Sequence, residues 1–239
     1  MKYKSSAQYK DTHGNLLNPK LPLIVQTVNT ITTTDSVTGI AGTTTYEYAD
    51  GTWYFDPARP HDKKFAGFGR VRETDAEGAV SVSYYHTGDS VNRSELGEHA
   101  DNYFKIGQLY RRDVFGGDGE LFTTDITTWD SRDQGNARAY VFPTSQLHQD
   151  FNGQNGHKDI ATTSEYDSVG NLLTKTSYGR VEGMSDGTFA DIPGDTVVTS
   201  LSYATDASAI RHQVSRKALR DAAGTLLQDI KYTYDMLPW

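Results

Sequence analysis

The chain has 239 residues, a formal net charge of −8 and no cysteine. The acidic balance argues against nucleic acid or an anionic membrane surface as partner, and the missing thiols exclude cysteine chemistry. Thr is the commonest residue at 28, and Asp at 23 outnumbers Glu at 8, so the acid here is the turn former and the chain reads as all-β.

From the N-terminus, Met1-Lys2-Tyr3-Lys4 leads into polar residues and not into a signal-peptide core. The apolar run Leu21–Val25 is broken by Pro22 and is far too short to span a bilayer. The first turn signal is Asp11-Thr-His-Gly14, followed by Asn-Leu-Leu17. An Asp that bonds back onto the chain, with a Gly three residues later that is free to take positive φ, makes a tight turn, and the apolar residues after it begin a strand. Strands are expected over Leu23 to Thr34, Thr43 to Tyr48 and Trp53 to Phe55, the last two joined by a turn at Ala49-Asp50-Gly51. Tyr46 and Tyr48 then share one face and Trp53 and Phe55 share a face on the return strand. Cross-strand packing explains this cluster better than a sugar-stacking platform does.

Phe68 to Thr74 is the next strand, turned by Asp75-Ala-Glu-Gly78 into Val80 to Tyr85, where Val80, Val82 and Tyr84 alternate with Ser81, Ser83 and Tyr85. Ser94 to Phe104 is the one passable helix, weakened by Gly97. Strands follow over Gly107 to Val114, Leu121 to Trp129, Ala137 to Phe142 and Ile160 to Tyr166, with Gln149 to His157 as a flexible connection. The turn Asp167-Ser-Val-Gly170 precedes Asn171-Leu-Leu173 and a strand from Leu172 to Tyr178. Thr196 to Tyr203 and Ile210 to Leu219 follow. Asp221-Ala-Ala-Gly224 then opens the closing strand, in which Ile230, Tyr232 and Tyr234 share a face. Roughly a dozen consecutive strands without crossover helices imply antiparallel hairpins in one extended curved sheet. The finish at Met236-Leu237-Pro238-Trp239, directly after a strand, reads as a piece of a much longer chain, and residues 1–239 as a single all-β segment.

Catalytic patterns fail on residue type. There is no Gly-x-Ser-x-Gly elbow, no phosphate-binding loop and no His-Glu-x-x-His helix, and Gly67-Phe-Gly69 lacks the third Gly of a dinucleotide loop. The seven His are scattered singly. Glu98-His99 and Asp101 could join a metal site, but on a loop of this polarity a solvated turn is the preferred reading. Gly116-Gly-Asp-Gly-Glu120 and Asp130 to Asn136 place oxygen donors on loops as calcium sites do, yet both miss the full pattern and read as hairpin turns. Carboxylates for a glycosidase pair sit in turn sequences that already account for them. No catalytic, cofactor-binding or metal residue is therefore expected, no cofactor is required, and the chain is not expected to be an enzyme.

Tyr166-Asp167-x-x-Gly170-Asn171-Leu172-Leu173, running on to Tyr178-Gly179, resembles the YD repeat of the RHS/YD-repeat family. Tyr9 to Leu17, Asp221 to Leu227 and Tyr232-Thr-Tyr234-Asp235 are weaker relatives. Lys64-Phe-Ala-Gly-Phe-Gly-Arg-Val71, with Tyr84-Tyr85-His86 and Lys105 to Arg111 after it, is similar to the Phe-x-Gly-Phe segment and downstream strands of insecticidal toxin complex B components. The resemblance implies a ribbon of antiparallel sheet that spirals into a hollow shell around a C-terminal toxin domain. It implies that Asp11, Gly14, Asp75, Gly78, Tyr166, Asp167, Gly170, Asn171, Asp221 and Gly224 are structural turn residues. It further implies a bacterial, secreted or cell-surface protein whose partners are other segments of its own polypeptide or a toxin-complex subunit, with no membrane insertion by this segment. Two features depart from the family. The turns are 64, 92 and 54 residues apart, much more than a short repeat, and the Asp-Pro-x-Gly signature of the self-cleaving core is missing, which places the segment upstream of that core. The competing reading is a carbohydrate- or cell-surface-binding β-sandwich of an adhesin, which would show two packed sheets where a shell shows one.

Overall fold

The computed structural model describes residues 1–136, 138–204 and 212–234. Ala137, the first residues of the strand expected from Ile210, and Asp235 with the Met236 to Trp239 terminus lie outside them. The first half of the chain forms strands β1 (Lys2–Ser5), β2 (Gln26–Thr34), β3 (Ala41–Asp56), β4 (Arg59–Thr74), β5 (Val80–Tyr85), β6 (Leu109–Phe115) and β7 (Leu121–Gly135). The second half adds β8 (Arg138–Asp150), β9 (Lys158–Tyr166), β10 (Leu172–Gly183), β11 (Phe189–Asp191), β12 (Val197–Tyr203), β13 (Val214–Asp221) and β14 (Leu226–Lys231). They make one 14-stranded antiparallel sheet in which neighbours in sequence are neighbours in space, except that β11 pairs with β10 beside the main path. The architecture is the expected one, a single open ribbon of hairpins and not two packed layers.

The turns explain why the ribbon folds back where it does. At Asp75, Asp167 and Asp221 the first residue's N–H donates to the carbonyl of the fifth, and the Gly N–H donates back to the Asp carbonyl. The Gly takes φ of 89°, 95° and 84° respectively. This is a three-residue hairpin loop closed by a residue in the left-handed region, the geometry that suits strand twist. Asp11 and Gly14 make the same turn around the isolated bridge between Lys10 and Leu16. Gly116 to Glu120 repeats it with Gly in place of the first Asp, joining β6 to β7.

Four local expectations are corrected. The turn at Ala49-Asp50-Gly51 is instead a bulge inside a continuous β3, with Asp50 at φ 55°. Its hydrogen bonds go to the N-terminal segment: Asp50 N–H donates to Leu17 O at 3.0 Å and Gly51 N–H to Asn18 Oδ1 at 2.8 Å. The buried Asn18 amide in turn donates to Ser6 O and Tyr48 O. Tyr48 and Trp53 therefore lie along one strand, and the return strand is β4, reached through Pro57 and Ala58. The helix expected from Ser94 to Phe104 is two short 3-10 turns, Ser94–Leu96 and Tyr103–Lys105, with Gly97 ending the first at φ 90°. Most of Asp130 to Asn136 belongs to β7. The connection from Gln149 is strand up to Asp150, after which the N–H groups of Phe151, Asn152 and Gly153 donate to Phe122 and Leu121 carbonyls of β7.

The core lies on one face of the middle strands. Ile126, Leu147 and Ala161 stand opposite one another on β7, β8 and β9, and Val181 of β10 completes the buried row, with Tyr178 and Phe189 against it. With no second sheet to cover this row, two loops do so. A Cβ built on Gly97 would lie 2.6 Å from Ile126 Cγ2, and one on Gly187 would lie 2.8 Å from the same atom. Only glycines allow the backbone to approach Ile126 this closely.

Candidate functional site

Residues 86 to 108, between β5 and β6, form the larger of these covering loops. The period-two alternation Val80, Val82, Tyr84 continues by one step to His86, whose ring lies 5.1 Å from that of Tyr110. Its backbone is pinned on both sides: His86 N–H donates to Gln108 O at 3.0 Å and its carbonyl accepts from Gly107 N–H at 2.9 Å. The loop then brings Glu98 and Asp101 onto the imidazole. His86 Nδ1 is 3.1 Å from Asp101 Oδ1 and 3.4 Å from Glu98 Oε1, and none of the three side chains is more than 1% exposed. Both approaches have ion-pair distance, but neither has hydrogen-bond geometry.

The outer oxygens of the two carboxylates are fully used. Asp101 Oδ2 accepts the consecutive N–H groups of Thr87, Gly88 and Asp89 at 3.3, 2.7 and 3.2 Å. Gly88 at φ 71° and Ser90 at φ 59° curl the backbone so that these amides converge, forming a nest for an anion. Glu98 Oε2 accepts from Arg93 N–H at 3.1 Å and Nη1 at 2.8 Å, and Arg93 Nη2 reaches Asp89 Oδ2 at 3.1 Å. Lys105, buried to 1% exposure, donates from Nζ to His99 O at 3.0 Å.

Burial dominates the electrostatics and the carboxylates decide its sign. Desolvation would lower the His86 pKa, yet Asp101 and then Glu98 more than offset it, so the imidazole is held above its ordinary value. Arg93 is driven the same way against its own burial, mainly by Glu98. For Lys105 burial wins, and its ammonium falls below the usual lysine value despite Asp130, Asp101 and Glu98. Burial also pushes the Tyr110 phenol up, with Glu98 adding to it.

Glu98 and Asp101 thus meet a histidine, but not the one beside them in sequence. His99 turns away and contacts Asp186 O through Nε2 at 2.9 Å, tying the loop to the hairpin that carries Gly187. In sequence His86 continues the buried face of β5, and that alternation, not adjacency to Glu98, is the signal that marks it. Among the described residues, His86, Glu98 and Asp101 are the one grouping whose ligand atoms all lie within 4.8 Å of one another. The two suspected calcium loops place their carboxylates elsewhere: Asp118 Oδ1 accepts from Glu120 N–H, and Asp133 Oδ1 from Gly135 N–H.

The ten turn residues are strung along the ribbon and are not gathered into a site. The Asp167 turn is built into its surroundings. Tyr166 packs edge-on against Tyr140 and tilted against Phe142, Tyr140 OH donates to Gly170 O at 2.9 Å, and Asn171 is buried and bonded to Asp167 Oδ2 at 2.8 Å.

Comparison with known proteins follows the same lines. Residues 1–96 match the family model described as the insecticide toxin TcdB middle/N-terminal region. The crystal structure of TcdB2-TccC3-TEV superposes with a TM-score of 0.68 at 15% identity, covering 99% of this chain and 14% of that one. That of TcdB2-TccC3 without the hypervariable C-terminal region gives 0.62 at 15% identity, covering 84% of this chain and 13% of that one. A search of curated proteins gave no match. The chain therefore corresponds to about a seventh of the length of the solved structures it resembles. In sequence over its first 96 residues, and in fold over nearly its whole length, it is similar to TcdB-type toxin-complex proteins, in keeping with the resemblance of its Lys64 to Val71 and YD-like segments to the shell region of their B components.

Proposed function

We propose that this chain is one arc of the wall of a hollow shell, which in a secreted bacterial toxin-complex protein of the RHS/YD-repeat kind encloses a C-terminal cargo domain, and that it has no catalytic activity of its own. The observation that carries this reading is the single open sheet, laid down hairpin by hairpin, that superposes over 99% of its length on a TcdB2 chain. A ribbon of this kind buries little between layers and is suited to closing on further turns of the same ribbon. The matched structures are of TcdB2 with TccC3, so a TccC-type subunit is the partner this reading assigns. The buried histidine cluster fits a wall and not an active site, because none of its three side chains is open to a substrate.

Accessibility in the assembled parent protein tests the proposal. The segment contains no Cys, so single cysteines can be placed at Lys175 and Thr174, adjacent residues of β10 that point to opposite faces. A small maleimide should label both positions. A polymer-linked maleimide too large to enter a closed cavity should label one face alone in the parent assembly, while the isolated segment reacts at both. Equal labelling of both faces by the large reagent in the parent would sink the shell reading.

A further inference from the structure

Six buried side-chain atoms lack a hydrogen-bond partner among the described residues, and four of them belong to the 86–108 loop: His86 Nδ1, Thr87 Oγ1, Glu98 Oε1 and Asp101 Oδ1. Buried polar atoms are almost always bonded, and leaving one unbonded is costly, so such a concentration requires an explanation. The loop spends its donors on the outer oxygens, three backbone amides on Asp101 and the Arg93 amide and guanidinium on Glu98. It leaves one oxygen of each carboxylate and one imidazole nitrogen turned toward each other. We propose that His86 Nδ1, Glu98 Oε1 and Asp101 Oδ1 are the three protein ligands of a buried site for one first-row transition-metal dication, with Zn²⁺ as the type.

Three observations carry this assignment. The first is spacing: bonds of about 2.0–2.2 Å put ligand atoms roughly 2.8–3.1 Å apart at octahedral angles and roughly 3.3–3.6 Å apart at tetrahedral ones. The two measured separations from Nδ1 are 3.1 and 3.4 Å. The second is that Nδ1 carries at most one proton, which cannot serve both facing carboxylate oxygens, and none of the three buried atoms makes a hydrogen bond of good geometry. A cation satisfies all three atoms at once. The third is the support around the ligands, since metal-binding carboxylates are themselves fixed by outer hydrogen bonds, as both are here. The nearby cations do not occupy the space: Arg93 is directed at Glu98 Oε2 and Asp89, and Lys105 at His99 O. One imidazole with two carboxylates suits Zn²⁺, Co²⁺ or Mn²⁺ better than Ca²⁺, which takes six to eight oxygens. Burial makes the site structural, and its position gives it a task, holding the loop that covers Ile126.

The test uses the 239-residue chain, stripped with chelator and then titrated with Zn²⁺ and, as a spectroscopic probe, Co²⁺. One equivalent should bind per chain, with visible d–d absorption for Co²⁺ and a saturable rise in melting temperature, while Ca²⁺ leaves the melting temperature unchanged. His86→Gln and Glu98→Gln should each weaken Co²⁺ binding by more than about tenfold, the loss that follows even from removing outer-shell partners. His99→Ala should bind as the parent chain does. Failure of the unaltered chain to bind a stoichiometric dication would overturn the proposal whether or not the variants fold. So would full Co²⁺ binding by folded His86→Gln.

Discussion

At the scale of single residues the chain is governed by what a turn demands of the fourth position. Gly170 and Gly224 occupy equivalent places at φ 95° and 84°, where any side chain is strained. Their surroundings differ. A Cβ on Gly170 would come within 2.9 Å of the Tyr140 ring, whereas one on Gly224 meets nothing within 4 Å. Gly224→Ala should therefore cost about 1 kcal/mol from backbone strain alone, and Gly170→Ala about 1–3 kcal/mol because Tyr140 must also move. Urea denaturation of the two variants checks the order, and a larger loss at Gly224 would contradict it. Asp167 allows a pH prediction. Desolvation raises its pKa, but hydrogen bonds from the Asn171 backbone and side chain and from the Val169 N–H outweigh this and hold it below the ordinary aspartate value. A carboxylate depressed in the folded state contributes stability that is complete above its unfolded pKa and is lost as pH falls through the folded value. Asp167→Asn should thus lower the urea midpoint near neutral pH and flatten its decline on acidification. A variant whose acid profile parallels the parent's would remove Asp167 as a contributor.

At the scale of elements, cohesion comes from partners far away in sequence. Ile126 at 2% exposure lies under both Gly97 and Gly187, so one side chain supports two loops. Ile126→Ala should cost about 2–5 kcal/mol, toward the upper end if neither loop can settle into the space, as measured by thermal or urea melts. Asn18 is the polar counterpart. Its amide accepts from Gly51 and donates to Ser6 O and Tyr48 O, which keeps β3 running through its bulge. Asn18→Ala strands these buried groups and should cost at least about 2 kcal/mol. Faster hydrogen exchange at Gly51 and Asp50 should accompany the loss, and unchanged exchange there would mean the bulge is held otherwise. The Asp-Gly pair at 50 and 51 carries the local chemistry of a turn, and a turn was the expectation from sequence. The contact with Asn18, 33 residues away, redirects it into a bulge.

For the whole molecule the decisive fact is that the sheet is open. β1 is a four-residue edge, short enough to be a poor template, but β14 offers a longer one with Leu226 and Leu227 at 45% and 57% exposure. Unpaired backbone groups beside exposed leucines recruit further strands. The isolated chain should self-associate in the micromolar range, seen as a mass that rises with concentration in light scattering after size exclusion. Leu227→Lys should reduce this by placing a charge on the edge. A concentration-independent monomer would show that β14 is not an active edge.

The ribbon is written in the local sequence. Turn positions and strand alternation depend on interactions within about five residues, on an Asp reaching its own backbone and a Gly free to take positive φ, so Asp75, Asp167 and Asp221 mark hairpins before any packing is known. Tertiary structure alone decided where the orphan groups of the long loop would go. His86 directly follows β5, Glu98 and Asp101 lie 12 and 15 residues further on, and His99, their neighbour in sequence, bonds instead to Asp186. No local preference selects His86 over His99. The choice follows from Gly97, which lets the loop fold down onto Ile126, and from Gly88, whose backbone lies against Ile106 and Tyr54; the loop so held brings those two carboxylates over the imidazole.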